Sequence, residues 1–117
     1  TAIAGSSMGG LISYYALLKY PNRFGAAGVF SPALWVNPQM KEYAAQKAAK
    51  AKGRMYFYAG QKESESMVPD LLAHAEILKQ KSKLDTKTSI REEGKHSEET
   101  WRQEFPGFYA WLMEGFN

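Results

Sequence analysis

The apolar residues of this chain fall into short runs separated by longer amphipathic segments, and the runs predict four β-strands. Residues 1–4 form the end of the first strand. Residues 25–30 are small and apolar, which is typical of a strand buried on both faces. Residues 54–59 are rich in aromatic side chains and form the clearest predicted strand. Residues 87–92 alternate apolar and charged positions, which indicates an edge strand.

Helices are predicted after each of these strands. Residues 8–20 are apolar on nearly every side, as in a helix packed against a sheet. Residues 38–52 are rich in alanine and lysine and predict an exposed helix, whereas residues 67–81 are amphipathic. Residues 98–116 form the last predicted helix, which Pro106 bends or breaks. Its predicted buried side chains are Trp101, Phe105, Phe108, Tyr109 and Leu112.

This regular alternation predicts an α/β fold with a mostly parallel sheet flanked by helices. With 117 residues the chain forms one domain at most, and 44% hydrophobic residues suffice for a globular core. The net charge of +3 is modest, and the basic residues form no stripe interleaved with aromatic ones, so we expect no nucleic-acid partner. No run is long enough for a membrane span, so no membrane partner is expected either.

Cysteine is absent, which excludes disulfides and thiolate metal sites. No cluster of residues has the spacing of metal ligands, so neither a metal nor an organic cofactor is expected. The sequence indicates no compartment, because a signal peptide would lie upstream of it. Cytoplasmic, periplasmic and secreted locations therefore all remain open.

Residues 4–10 carry the motif that points to chemistry. They read Ala-Gly-Ser-Ser-Met-Gly-Gly, with Ser7 at the centre of Gly-x-Ser-x-Gly between a predicted strand and a predicted helix. This context is typical of a sharp turn that holds a nucleophilic serine clear of the sheet, with flanking glycines that avoid collisions. Ser7 is therefore the candidate nucleophile. The N–H of Met8 is the candidate oxyanion donor, because the helix N-terminus favours negative charge. The competing interpretation is a chance match in a glycine-rich turn.

A serine hydroxyl needs a base to remove its proton, and the base needs a carboxylate to orient it. In this fold class these partners follow the serine in the order acid, then histidine, at the ends of later strands. His96 follows the fourth predicted strand in a Gly-Lys-His-Ser turn and is the candidate base. His74 lies within an amphipathic helix, where a surface or packing role is expected. Glu63, after the third strand, is the candidate acid, and Glu65 in the same loop is the alternative.

Residues 30–36 end the second strand and continue as an apolar loop. Open α/β sheets bind ligands at the carboxyl ends of their strands. Phe30, Leu34 and Trp35 are therefore candidates for the lining of a substrate pocket. Ordinary packing of the loop is the alternative.

Together these motifs resemble the putative esterase family of α/β-hydrolases, which includes siderophore (enterochelin-type) esterases and feruloyl-type carbohydrate esterases. The resemblance runs along the whole chain, through motifs at residues 4–10, 30–35, 58–65 and 94–97. It implies the C-terminal part of an α/β-hydrolase fold. It also implies that the family's nucleophile, acid and base correspond to Ser7, Glu63 (or Glu65) and His96.

Family members also carry an N-terminal half, which holds the first strands and the second oxyanion donor. The resemblance therefore implies that residues 1–117 are a partial α/β-hydrolase domain that starts at the nucleophile turn. We expect its first strand to be an exposed apolar sheet edge, which favours association. The predicted partner is the N-terminal half of the same protein, or a second copy paired through this edge.

The leading interpretation is a serine carboxylic-ester hydrolase that forms an acyl-enzyme and acts on a small-molecule ester. The resemblance implies a siderophore or carbohydrate ester, and a glutamate in place of the commoner aspartate favours the siderophore side. Two alternatives remain. One is a non-catalytic binding module or inactive fragment derived from an α/β-hydrolase, and the other is an acyltransferase.

Overall fold

Four parallel strands form the centre of the computed structural model, which describes residues 1–115. Their bounds are Ala2–Ser6 (β1), Ala26–Phe30 (β2), Arg54–Gly60 (β3) and Asp85–Arg91 (β4). The strands lie side by side in chain order, and each neighbouring pair is parallel. Ser6, Phe30 and Tyr58 are aligned across the sheet, so the carboxyl ends of the strands meet at one edge. The predicted α/β fold with a parallel sheet is confirmed.

The helices occupy the segments between and after the strands. Their bounds are Met8–Lys19 (α1), Met40–Lys47 (α2), Met67–Lys81 (α3) and Glu98–Glu114 (α4), with short 3₁₀ turns at Leu34–Val36 and Ala48–Lys50. α2 starts later than predicted, because Asn37 is outside the helical region and the chain first closes a turn from the Met40 N–H to the Asn37 carbonyl. The predicted end of α4 at residue 116 lies outside the described residues.

The sheet is covered on both faces, and the side chains of β2 and β3 alternate between them. One face packs against α1, α2 and α3, and the other against α4. The first face contributes Ala27, Val29, Met55 and Phe57 to the larger core. The second contributes Phe30, Tyr56 and Tyr58, which pack with Phe108 and Trp111 of α4. The two central strands, β2 and β3, are therefore buried on both faces of the sheet.

The burial predicted for α4 is only partly right. Phe108 is buried as predicted, and Trp111 is buried as well, but Phe105 and Tyr109 are 48% and 52% exposed. The side of the helix that faces β2 and β3 carries Phe108 and Trp111, and it is narrower than the distribution of apolar residues along the helix suggests. The helix also continues through Pro106, so of the predicted bend or break, the break does not occur.

His74 of α3 is a buried packing residue. Its Nδ1 lies 2.7 Å from the hydroxyl of Tyr14 in α1, and both side chains are almost fully buried. Burial, assisted by the positive charge of Lys41, lowers the pKa of His74 from 6.5 to about 4. The imidazole is therefore neutral near pH 7 and joins α1 to α3 through a single hydrogen bond.

This pKa shift predicts a specific pH dependence of stability. The unfolded chain binds a proton at His74 near pH 6.5, whereas the native chain does so only near pH 4. Between these values the unfolded state holds more protons, so the free energy of unfolding falls as the pH falls. We expect His74→Gln to flatten this decline, as measured by urea unfolding at several pH values between 4 and 7. Parallel curves for the two proteins would contradict the assignment.

Candidate active site

Ser7 occupies the turn between β1 and α1 in a backbone conformation that L-residues rarely adopt. Its φ and ψ are 56° and −117°. The turn is held from β2 and the loop after it: the Ser7 N–H donates to the Phe30 carbonyl at 3.0 Å, and the Ser7 carbonyl accepts from the Ala33 N–H at 3.0 Å. A strained serine is thus fixed at the carboxyl edge of the sheet.

Two glycines make this turn sterically possible. A Cβ on Gly5 would lie 2.6 Å from the backbone of Gly9, and a Cβ on Gly10 would lie 2.7 Å from the carbonyl oxygen of Phe30. A Cβ on Gly9 would meet nothing within 4 Å. The steric role expected of the second motif glycine therefore belongs to Gly10, because α1 approaches β2 at that residue.

His96 lies between Ser7 and Glu63. Its Nε2 is 2.9 Å from Ser7 Oγ, and its Nδ1 is 2.5 Å from Glu63 Oε1. A carboxylate only accepts hydrogen bonds, so Nδ1 carries a proton in this contact, and Nε2 is the acceptor for the Ser7 hydroxyl. Glu65, the alternative acid, is exposed to solvent, and it is Glu63 that contacts His96. The three side chains form one line of hydrogen bonds.

The Glu63 carboxylate is buried and bonded through both oxygens. Its side chain is 1% exposed, and Oε2 accepts from the Ser31 hydroxyl at 2.6 Å and from the Gly60 N–H at 2.7 Å. Ser31 in turn accepts from Trp101 Nε1–H at 2.9 Å. The sequence pattern marked Ser31 only as the end of a strand and Trp101 only as a core residue. The signal that could have indicated Ser31 is a serine directly after a strand, next to the loop of the candidate acid.

The loops that carry the candidate acid and the candidate base are in direct backbone contact. Lys62 N–H donates to the Gly94 carbonyl at 2.9 Å, and Gln61 N–H donates to the Arg91 carbonyl at 3.0 Å. A side chain on Gly60 would overlap the carbonyl of Gly94. Gly60 and Gly94, which precede Glu63 and His96 in their loops, therefore allow the two loops to approach closely. At this separation Glu63 contacts His96.

The three residues predicted to line a pocket do not surround a single cavity. Trp35 is 58% exposed, and its ring centroid lies 5.9 Å from that of His96, in a groove of about 420 Å³. The groove is also lined by Glu63, Ser64, Ser66 and Met67. Phe30 instead faces an apolar cavity of about 170 Å³ beside Trp101. Leu34 is buried and borders a third groove near His74, which Trp35 also lines.

In residues 1–115, no group of three or more His, Cys, Asp or Glu side chains is arranged to hold a metal ion. No helix in the same residues combines the length and apolarity needed to span a bilayer.

The family described as Putative esterase matches residues 1–112. Three solved structures are similar in fold. The enterobactin esterase FES from Shigella flexneri has a TM-score of 0.80 at 24% identity, over 100% of this chain and 31% of that one. The BES protein from Bacillus cereus has a TM-score of 0.74 at 24% identity, over 91% and 44%. A ferulic acid esterase has a TM-score of 0.75 at 14% identity, over 97% and 51%.

Among curated proteins, the uncharacterized protein YbbA of Bacillus subtilis (strain 168) is 55% identical over 31 residues, which is 26% of this chain and 12% of that protein. The chain thus spans between 12% and 51% of the length of these four relatives. The similarity in fold confirms the expected α/β-hydrolase architecture.

The geometry of the turn predicts opposite effects for two neighbouring substitutions. Gly10→Ala places a methyl group against the backbone of Phe30, and we expect it to lower the free energy of unfolding by about 1–3 kcal/mol. Gly9→Ala points into open space, where alanine favours the helix by up to about 1 kcal/mol. Urea unfolding of both variants checks the prediction. Equal destabilisation by the two would refute the steric role of Gly10.

Proposed function

This chain belongs to the Putative esterase family, and on that premise we propose that it forms the catalytic part of a serine ester hydrolase. One observation carries the proposal, which is the line of hydrogen bonds from Ser7 through His96 to Glu63. A nucleophile, a base and an orienting carboxylate in this order are what acyl transfer through a serine requires. The strained turn at Ser7 and the burial of Glu63 add support.

In the proposed reaction, Ser7 Oγ attacks the carbonyl carbon of the ester while His96 Nε2 takes the hydroxyl proton. Glu63 holds Nδ1–H and stabilises the imidazolium that forms. The tetrahedral intermediate collapses, the alcohol leaves with the proton from His96, and the acyl group remains on Ser7. A water molecule then attacks the acyl-enzyme with His96 as its base, which releases the acid and restores the serine.

The oxyanion of each intermediate is assigned to the N–H of Met8. This N–H is the first of α1 and has no acceptor within the helix, so it is available to a ligand at the helix N-terminus. The second donor is proposed to come from a part of the protein N-terminal to the turn. β1 lies at an edge of the sheet, and its free side is where we propose that further strands of the protein, or a second copy, pair.

The proposed substrate is a small-molecule ester, of the siderophore or aromatic-acid class. Similarity in fold to an enterobactin esterase and to a ferulic acid esterase supports both classes. The exposed ring of Trp35 beside His96 supports a substrate with an aromatic or ring-shaped part, because such groups stack on indole.

Covalent labelling tests the nucleophile directly. We expect a fluorophosphonate to add one adduct to the protein, visible by intact mass, and Ser7→Ala to lose both the adduct and roughly four to six orders of magnitude of esterase turnover. Ser82→Ala, at the end of α3, is the control and keeps both. Turnover that survives in Ser7→Ala would refute the proposal. A wild-type protein that takes up no adduct and shows no turnover would favour a binding module instead.

A pair of glutamine variants tests the acid. Glu63→Gln keeps the size of the side chain but favours the wrong imidazole tautomer, so we expect kcat to fall by about 10⁴-fold. Glu65→Gln in the same exposed loop is expected to stay close to the wild-type rate, and it controls for the loss of one loop charge. Steady-state kinetics on a simple aryl ester gives the comparison. A larger loss in Glu65→Gln would reverse the assignment.

A further inference from the structure

We propose that Ser31 and Trp101 are positioning residues for the candidate acid, and that Trp101 does this by setting the direction of the Ser31 hydroxyl. The inference rests on the proposed function, because its consequence is the orientation of His96 toward Ser7. Neither residue reacts in this scheme. Both act through Glu63.

The first step concerns the single proton of the Ser31 hydroxyl. The indole N–H of Trp101 can only donate, and it lies 2.9 Å from Ser31 Oγ, so the hydroxyl oxygen is the acceptor there. Ser31 is fully buried, so solvent does not compete for its proton. The proton therefore points to Glu63 Oε2, 2.6 Å away. Trp101 thus removes the alternative direction of the hydroxyl.

The second step concerns the plane of the carboxylate. The last torsion of a glutamate side chain is soft, so a single donor leaves the carboxylate free to turn. Glu63 Oε2 has two donors from different parts of the chain, the hydroxyl of Ser31 after β2 and the N–H of Gly60 at the end of β3. With Oε2 held twice, Oε1 is left facing His96 Nδ1 at 2.5 Å. Loss of the Ser31 hydroxyl would leave one donor on Oε2.

Trp101 also contacts the imidazole that Glu63 orients. The two ring centroids lie 5.0 Å apart and the ring planes meet at 85°, an edge-to-face arrangement. Trp101 lies in the first turn of α4. Its backbone N–H donates to the backbone carbonyl of the capping residue Ser97 at 3.1 Å. One side chain on a fixed helix end therefore touches both Ser31 and His96.

The backbone of Ser31 supports a role beyond packing. Its φ is 45°, and Ser7 is the other non-glycine residue in the described part of the chain with a positive φ. Strain of this kind persists where the surroundings enforce it, and it concentrates at functional sites. Each strained serine is hydrogen-bonded to one of the candidate residues, Ser31 to Glu63 and Ser7 to His96.

Kinetics of three variants tests the proposal. We expect Ser31→Ala to lower kcat roughly tenfold to a hundredfold, the usual effect of losing a hydrogen bond to a charged group. KM for the same ester should stay within about twofold, because the buried side chain does not touch substrate. Trp101→Phe keeps a ring beside His96 but lacks the N–H, so a smaller loss is expected, with little further loss in the Ser31→Ala background.

Ser82→Ala is the matched control, because its hydroxyl also donates once, to the Leu78 carbonyl, and accepts once, from the Leu84 N–H. We expect this variant to lose stability without a change in kcat. The proposal is overturned if Ser31→Ala and Trp101→Phe lower the melting temperature as Ser82→Ala does and leave kcat unchanged. Trp101→Phe, which leaves the backbone of β2 untouched, decides the matter if Ser31→Ala does not fold.

A second readout separates this proposal from the proposed function. The Nδ1 proton of His96 should give a low-field ¹H resonance while the carboxylate holds it. We expect the resonance to persist in Ser7→Ala and to broaden or disappear in Ser31→Ala. An unchanged resonance in Ser31→Ala would refute the positioning role even if the protein proves to be an esterase. Loss of the resonance would support that role even if Ser7→Ala retained full turnover.

Discussion

The burial of the Glu63 carboxylate is the constraint on which the rest of the site depends. An unpaired charge on a buried carboxylate costs several kcal/mol. Each hydrogen-bond donor to Glu63 must therefore be held in position by the fold. Ser31 follows β2, Gly60 ends β3, and His96 follows β4. Only an order that places the ends of these three strands side by side brings all three donors to one carboxylate. The parallel order of the sheet is therefore a condition for the site as well as for the core.

The helix α4 connects the core to the site, because it packs against the sheet and also carries Trp101. Glu104 is buried on the face that packs against the sheet, where it bonds the hydroxyl of Tyr56 and lies 2.7 Å from Arg91 Nε. Near the other end of the helix, Arg54 of β3 donates to a backbone carbonyl at 2.6 Å. These polar contacts fix how far along the sheet the helix lies. They thereby fix where Trp101 meets the residues it contacts.

The fold was predictable because its elements are encoded locally. α3 begins and ends at the predicted residues, and the central strands differ from their predictions by one residue at an end. The candidates Ser7 and His96 were also visible, since each lies in a short motif beside a predicted strand. What the pattern could not show was which apolar stripe of α4 faces the sheet, because Phe105 and Phe108 are equally hydrophobic and only the packed structure chooses between them.

Hydrogen-bonded side-chain pairs that are distant in sequence could not be predicted from the sequence pattern either. Tyr14 and His74 are 60 residues apart in sequence, and Ser31 and Trp101 are 70 apart. Each member of these pairs has an ordinary role when considered alone, as a core aromatic residue, a helix histidine or the end of a strand. Their hydrogen bonds depend on the final packing of one element on another, which no local period encodes.

The same backbone hydrogen bond recurs at the ends of three strands and explains how side chains of the site are placed at the edge of the sheet. The residue that follows each strand donates its N–H to the neighbouring strand: Ser7 to Phe30, Ser31 to Tyr58, and Gln61 to Arg91. Each bond extends the parallel ladder by one residue, and the chain then turns away. For the two serines this turn costs on the order of 1–3 kcal/mol of strain, which the extra ladder bond helps to offset. The hydroxyls of both serines and the loop of Glu63 thus leave the sheet at the same level, where a single imidazole and a single carboxylate can connect them.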